Sequence, residues 1–232
     1  SETIVVIGAN HAGTAAINTI LDNYKDKHVV VFDRSSAISF LGCGMALWIG
    51  GQISGPGGLF YASKEAFEQK GATVHMETEV MHIDFAAKRV TARTKDGAAI
   101  TQSYDRLILS TGSVPVCPPV PGMELENVQF VKEYSHAQAV IDKLACSDIR
   151  RVAVVGAGYI GVELAEAFVR NGRDTTLIDC APTCLSSYYD EDFCARMADT
   201  LRQGGVKLAF GQTVRRIEGE GRVQRVVTDK GA

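Results

Sequence analysis

The residues with the clearest chemical potential lie in two glycine-rich segments and around one cysteine. One glycine-rich segment is residues 156–161. It follows an apolar strand-like run and precedes a helical pattern. Gly156 permits a tight turn, Gly158 leaves room for a pyrophosphate, and Gly161 lets the helix pack closely on the strand. The phosphates would then face free N–H groups and the positive end of the helix dipole. This spacing predicts a dinucleotide-binding turn.

An acidic residue stands where such a fold needs one. Asp179 follows the strand-like residues 175–178, 18 residues beyond Gly161. Its carboxylate can accept a hydrogen bond from a ribose 2′-OH and would repel a 2′-phosphate, which favours NAD over NADP. The alternative is a glycine turn that only packs.

The second glycine-rich segment, residues 8–13, departs from the pattern. Asn10 stands in place of the middle glycine and His11 follows it. A strand-like run precedes the segment at 3–7, and a helical pattern follows it through Tyr24. Asp33 ends the next strand, 20 residues beyond Gly13. These neighbours predict a second dinucleotide, with FAD in one fold and NAD(H) in the other for hydride transfer.

Two further residues have chemical and structural interpretations that the pattern leaves open. His11 would lie at a helix N-terminus beside the cofactor, or it is a histidine of the helix cap with no chemistry. Cys43 precedes an apolar helical run, where unpaired N–H groups would stabilise a reactive thiolate. The alternative for Cys43 is a buried, inert cysteine.

The elements that position these residues repeat after about 150 residues. Strand, glycine turn, helix and strand recur, which predicts an α/β protein with two Rossmann-like folds and parallel sheets. We expect an antiparallel meander over 78–84 and 88–104, and a buried strand at 106–110. Four of the six prolines lie in 114–122, so we predict an FAD-binding domain over 1–118 and an NAD-binding domain over 119–232. The hairpin at 213–228 does not close the second fold, which suggests a truncated chain.

Composition excludes several classes of function. The 232 residues are 46% hydrophobic and 22% charged, with a net charge of −3. No apolar run reaches the roughly 18 residues of a membrane span, and no basic tract predicts nucleic-acid binding. No secretory signal precedes the first strand, so the cytoplasm is the expected location. Six cysteines without a C-x-x-C pair indicate reduced thiols and no metal site; apart from Cys43 we interpret them as structural.

The motifs together resemble the single-cysteine branch of the FAD-dependent pyridine nucleotide-disulfide oxidoreductases. This group contains NADH oxidases, NADH peroxidases and coenzyme A disulfide reductases. The stretch Gly42-Cys43-Gly44-Met45-Ala46-Leu47-Trp48 is most similar to the water-forming NADH oxidases. The other segments that carry the resemblance are residues 8–13, 39–45, 110–113 and 156–165.

The resemblance implies a role for each matching residue. His11 would be the active-site base and Cys43 the redox centre, cycling between thiolate and sulfenic acid. FAD would be held by Gly8, Ala9, Asn10, Gly13, Asp33, Thr111, Gly112, Ser113 and, more weakly, Lys132. In the second fold, besides the turn of Gly156, Gly158 and Gly161, Tyr159 and Ile160 would meet the nicotinamide and Glu163 would orient it. Asp179 and Tyr188 would hold the adenosine end.

The activity implied by the resemblance is an NADH oxidase that reduces O2 to water through FAD and Cys43. A thiolate can attack the O–O bond, and sulfenic acid is the reversible first step of its oxidation. No second cysteine near Cys43 provides the pair that a dithiol reductase needs. Members of the family are about twice as long, with a later segment that completes the FAD fold and a C-terminal domain that forms a homodimer. An NADH peroxidase acting on H2O2, a coenzyme A disulfide reductase and a nucleotide-binding fragment without activity remain open alternatives.

Overall fold

The computed structural model describes residues 1–146 and 148–232, which form two compact units. The first unit consists of Ser1–Leu41 and Gly57–Val114, and the second of Gly42–Pro56 and Pro115–Ala232. The segment Gly42–Pro56, which carries Cys43, therefore belongs with the C-terminal half of the chain. The division at 118/119 into an FAD-binding and an NAD-binding domain stays a prediction.

The two units contain twelve strands and six α-helices among the described residues. The strands are β1 (Glu2–Ile7), β2 (Lys27–Phe32), β3 (Thr73–His75), β4 (Thr78–Asp84), β5 (Arg89–Thr94), β6 (Ala99–Ser103), β7 (Arg106–Leu109), β8 (Arg151–Val155), β9 (Asp174–Asp179), β10 (Lys207–Phe210), β11 (Val214–Glu218) and β12 (Arg225–Thr228). The helices are α1 (His11–Asn23), α2 (Met45–Ile49), α3 (Lys64–Gln69), α4 (Tyr134–Leu144), α5 (Tyr159–Arg170) and α6 (Glu191–Gln203). No helix of the described residues is long and apolar enough to cross a membrane.

The first unit is built on a parallel sheet with the strand order β3-β2-β1-β7. The apolar, β-branched runs of β1 and β2 are buried at their carboxyl ends, as expected for strands covered on both faces. Ile17, Ile20 and Leu21 of α1 pack into the same core. The carboxyl ends of the strands therefore meet at one edge, which is where nucleotides bind in open parallel sheets.

The predicted meander is confirmed as the antiparallel sheet β4-β5-β6. It is inserted between β3 and β7. The strand predicted at 106–110 is present as β7, but the prediction that it is buried is wrong: β7 ends the strand order of the sheet, and its residues are half-buried or exposed. The inner face of the meander, with Val90 and Ala92 fully buried, packs against Val5 and Phe32 of the parallel sheet. The meander thus covers one face of the nucleotide fold without entering its strand order.

The second unit contains the parallel sheet β10-β9-β8 and the separate hairpin β11-β12. The two helices that follow the glycine turns begin at or near the turn itself. α5 starts at Tyr159, three residues before the predicted Val162, because Gly158 in an extended conformation already serves as its N-cap. α1 starts at His11 and ends at Asn23, since Tyr24 is extended and cannot continue the helix.

Candidate functional site

The two glycine turns have the same construction. Gly8 and Gly156 both have a positive φ, +97° and +105°, which glycine adopts without the strain of a side chain. The last glycine of each turn, Gly13 or Gly161, packs against the backbone of the first. A Cβ on Gly13 would stand 1.8 Å from the Gly8 carbonyl oxygen, and a Cβ on Gly161 1.7 Å from that of Gly156. This close approach of helix and turn is the one that the glycine spacing predicted.

The acidic residue of each fold fixes the turn through two backbone hydrogen bonds. Asp33 accepts the N–H of Ala9 at 2.6 Å and that of Ser35 at 2.7 Å, one on each carboxylate oxygen. In the second unit Asp179 repeats this pattern: it accepts Ala157 N–H at 2.6 Å and Ala181 N–H at 2.8 Å. Each carboxylate thus ties the glycine turn to the end of the following strand. The sequence suggested a ribose contact for these acids but not this second role.

The helices that leave the glycine turns have free N-termini. The N-cap residues Asn10 of α1 and Gly158 of α5 make no side-chain cap bond, and neither first turn contains an acidic residue. In contrast, Ser63 caps α3, and Glu133 caps α4 in a capping box. The unsatisfied N–H groups of α1 and α5 are what a pyrophosphate would accept from. Both turns therefore fit a dinucleotide.

Residues 111–113 lie beside the first glycine turn. The side chain of Ser110 donates to the Gly8 carbonyl oxygen at 2.8 Å and fixes the end of β7 against the turn. Thr111, Gly112 and Ser113 follow and are exposed. The first unit thus brings these residues together with Gly8, Ala9, Asn10, His11, Gly13 and Asp33. Lys132 is the exception, because it belongs to the second unit.

His11 has a tyrosine partner. Its Nδ1 lies 2.8 Å from the hydroxyl of Tyr61, and the two rings are stacked with an interplanar angle of 1°. Both side chains are exposed. Tyr61 can therefore set the orientation of the imidazole ring and the position of its proton. No sequence signal links Tyr61 to His11, because it is 50 residues away in a loop.

Three tyrosines gather at the second glycine turn. The Tyr159 hydroxyl donates to that of Tyr189 at 2.7 Å, which raises the pKa of Tyr159. The ring centres of Tyr188 and Tyr159 are 4.5 Å apart. The Cε2 atom of Tyr188 is 3.8 Å from the position that a Cβ on Gly158 would take. Ile160 and Glu163 are exposed on the same helix. Tyr188 thus lies beside the glycine turn, and its contact with a nucleotide stays a prediction; Tyr189 is a neighbour of Tyr159 that the sequence did not indicate.

Cys43 is exposed and free, on a 3₁₀ turn formed by Gly42–Gly44. The predicted apolar helix after it is confirmed as α2, which begins at Met45. The thiol belongs to the second unit and His11 to the first. The two predicted catalytic residues are therefore supplied by different parts of the fold.

The remaining cysteines are not alike. Cys184 and Cys194 are buried, which fits the structural role predicted for them, and burial raises the pKa of the Cys184 thiol. Cys117, Cys146 and Cys180 are exposed, so the prediction of a structural role is wrong for these three: an exposed thiol fills no part of the core. Within residues 1–146 and 148–232, no group of three His, Cys, Asp or Glu side chains could hold a metal ion.

Comparison with known proteins identifies the family. The sequence profile of the pyridine nucleotide-disulphide oxidoreductases matches residues 2–232. The chain belongs to this family. Among curated oxidoreductases, an NADH oxidase of Streptococcus pyogenes is 55% identical, over an alignment that covers 98% of this chain and 52% of the relative. The chain thus spans about half the length of the curated relatives it matches.

Solved structures of the family give the same result. The water-forming NADH oxidase of Lactobacillus brevis, solved with bound NADH, is similar with a TM-score of 0.94 and 41% identity, covering 100% of this chain and 51% of that one. An engineered water-forming NADPH oxidase derived from it, bound to NADPH, also has a TM-score of 0.94, at 40% identity, and covers 99% of this chain and 51% of that one. The predicted family and fold class, an α/β protein with two nucleotide-binding folds, are confirmed.

Proposed function

We propose that this chain is the nucleotide-binding part of an NADH oxidase that reduces O2 to water, with FAD in the first unit and NADH in the second. The observation that carries the proposal is the duplicated turn. Each copy combines a positive-φ glycine, a free helix N-terminus and a carboxylate that accepts one N–H of the turn and one N–H after the following strand. The similarity to NADH oxidases, one of them solved with NADH, supports the assignment of the nucleotides.

FAD would lie on the turn of residues 8–13, with Asp33 on the ribose side and residues 111–113 beside it. Bound there, FAD would supply a hydride acceptor for NADH and a two-electron donor for dioxygen, with hydrogen peroxide as the product. NADH would lie on the turn of residues 156–161. Its nicotinamide would meet Tyr159 and Ile160, its adenosine would meet Asp179 and Tyr188, and Glu163 would orient it.

Cys43 would remove the peroxide. Its thiolate attacks one peroxide oxygen, an S–O bond forms, the O–O bond breaks, and hydroxide leaves and takes up a proton to become water. The cysteine is then a sulfenic acid. Two electrons from a second NADH and two protons restore the thiol and release the second water. The exposed position of the free Cys43 thiol supports this step.

His11 would act as the base beside the flavin. An imidazole whose Nδ1 is engaged by the Tyr61 hydroxyl leaves Nε2 to exchange a proton with the reacting oxygen. Tyr61 is a positioning residue in this proposal. We also propose a homodimer, as the resemblance implies, and a cytoplasmic location.

The test is the product of oxygen reduction, measured on the native protein with FAD bound. We expect two NADH consumed per O2 and no hydrogen peroxide. In the Cys43→Ser variant we expect one NADH per O2 and one equivalent of hydrogen peroxide, because the serine hydroxyl does not attack the O–O bond. Cys117→Ser is the matched control, since Cys117 is also an exposed, free thiol.

Three outcomes would contradict the proposal in different ways. Unchanged water formation in Cys43→Ser would show that Cys43 is not the redox centre. Oxidation of NADH by hydrogen peroxide without oxygen consumption would indicate a peroxidase. Reduction of coenzyme A disulfide in preference to O2 would indicate the third activity found in this group.

A further inference from the structure

The short helix that follows Cys43 is fastened to the second unit by a side chain that the proposed mechanism does not use. Asn171 is the C-cap residue of α5, and its Nδ2 donates to the backbone carbonyl oxygen of Ile49, the last residue of α2. The same Nδ2 lies 3.2 Å from the carbonyl oxygen of Ala167, one turn earlier in its own helix. One amide group thus joins the ends of two helices that are 122 residues apart in sequence.

This bond matters because α2 cannot hold its own shape. It has five residues, and a helix of this length is unstable in water without outside contacts. Its last carbonyl groups have no partner within the helix. Ile49 is a buried residue, and the Asn171 amide donates a hydrogen bond to its carbonyl oxygen.

Packing holds α2 in the same place. The Trp48 ring is stacked on that of Tyr134 of α4, with the ring centres 5.8 Å apart. Gly50, the C-cap residue of α2, lies so close to α5 that a Cβ on it would stand 3.3 Å from the Cβ of Ala167. The 3₁₀ turn of Cys43 immediately precedes this clamped helix, so the position of the turn depends on the position of α2.

The geometry points to Asn171 as a positioning residue for the Cys43 thiol. This inference rests on the function proposed above for Cys43. The rate at which a thiolate attacks peroxide depends on the groups around it, so the thiol reacts well only while its turn stays in place. α5 also begins at the proposed nicotinamide contacts Tyr159 and Ile160. One helix therefore carries the dinucleotide turn at its first residue and, at its end, the anchor of the reactive cysteine.

Two substitutions test the anchor. Asn171→Asp keeps the shape of the side chain but replaces the N–H donor with an acceptor that faces two carbonyl oxygens. Asn171→Ser can still donate to the Ala167 carbonyl oxygen but is too short to reach Ile49. The matched control is Asn23→Asp, because Asn23 ends α1 and donates only to the Thr19 carbonyl oxygen, one turn back in its own helix, at 2.8 Å.

The experiment measures three quantities on the native protein with FAD bound. The first is the hydrogen peroxide released per NADH in air. The second is the labelling of Cys43 sulfenic acid by dimedone after a peroxide pulse without NADH, read by peptide mass spectrometry. The third is the rate of flavin reduction by NADH in stopped flow. In both Asn171 variants we expect Cys43 labelling to slow about five-fold, the change for one lost hydrogen bond, and hydrogen peroxide to be released where wild type releases none, with flavin reduction unchanged.

The outcomes separate this inference from the proposed function. Wild-type peroxide release and labelling in both Asn171 variants would overturn the role of Asn171, while Cys43→Ser in parallel would still report on Cys43. Flavin reduction slowed by the same factor as labelling would also overturn it, because Asn171 would then only maintain the fold. If Asn171→Asp does not fold, Asn171→Ser decides. A change in the Asn23→Asp control as large as in the Asn171 variants would count against the inference too.

Discussion

The carboxylate of Asp179 should stabilise the fold as well as select the nucleotide. The Asp179→Asn variant tests the first role, because a residue that acts only in nucleotide recognition would not change the unfolding free energy. The carboxylate accepts two backbone N–H groups, from Ala157 and Ala181, on different oxygens. Asparagine has one acceptor oxygen. Its amide nitrogen would therefore face one of the two N–H groups, donor against donor.

The size of the effect follows from this count. A hydrogen bond to a charged group contributes about 1.5–3 kcal/mol, and the half-buried position of Asp179 places the loss near the lower end, about 1.5–2 kcal/mol. For a chain of this size each kcal/mol lowers the melting temperature by about 2–4 °C, so we expect a decrease of about 3–8 °C. Loss of the charge should also reduce the preference for NADH over NADPH by about 1–3 kcal/mol.

Calorimetry on the FAD-loaded protein and kcat/KM for both nucleotides measure the two effects. Asp84→Asn is the control, because Asp84 is exposed and accepts only one N–H, that of Ala87 at 2.8 Å, which asparagine can still accept. We expect it to change the unfolding free energy by less than about 0.5 kcal/mol. If Asp179→Asn has the same melting temperature as wild type and the control, the two backbone hydrogen bonds contribute nothing to stability and the argument from the duplicated turn is wrong.

Two further predictions concern the first unit. Tyr61→Phe removes the hydroxyl beside His11 but keeps the ring stacking. In stopped flow, the reaction of peroxide with the NADH-reduced enzyme should slow by about 2–10-fold in this variant and by about 100-fold in His11→Gln. Equal effects of the two substitutions would contradict a positioning role for Tyr61. Burial lowers the pKa of His75 below 6.5, so the folded protein favours the neutral ring. The unfolding free energy should therefore not depend on this group above pH 6.5, and it should decrease as the pH falls below 6.5. Urea unfolding at about pH 7 and about pH 5 should therefore show a smaller decrease in His75→Gln than in wild type, with the exposed His82→Gln as control, and an equal decrease in all three would refute it.

The sequence predicted the parts of the molecule that depend on local pattern. The apolar runs of β1 and β8, the glycine turns and the acids Asp33 and Asp179 stand where their spacing indicated. Strand, turn and helix are adjacent in sequence, so the local pattern of residue types is enough to predict them. The start of α5 was misplaced because residues 159–161 belong to both the turn motif and the first helical turn.

The side-chain pairs at the candidate site could not be predicted in this way. Tyr61 meets His11 across 50 residues, and Tyr189 meets Tyr159 across 30. The segment Gly42–Pro56 belongs with residues more than 50 positions later rather than with its neighbours in sequence. These contacts are set by the tertiary structure, and no periodicity or spacing in the chain records them.

The interleaving of the two units also dictates an order of assembly. The helix α2 is synthesised before its partners Tyr134 and Asn171, which follow roughly 85–125 residues later. At about 5–20 residues per second this is a delay of about 4–25 seconds. Until those partners are synthesised, Trp48 and Ile49 lack the contacts with Tyr134 and Asn171 that hold α2 in the folded chain. A single cut at Val114/Pro115 would make this condition permanent, since the first fragment would retain Gly42–Pro56 without the helices that cover it. The nascent chain is therefore most exposed to aggregation and to thiol oxidation before α5 is complete.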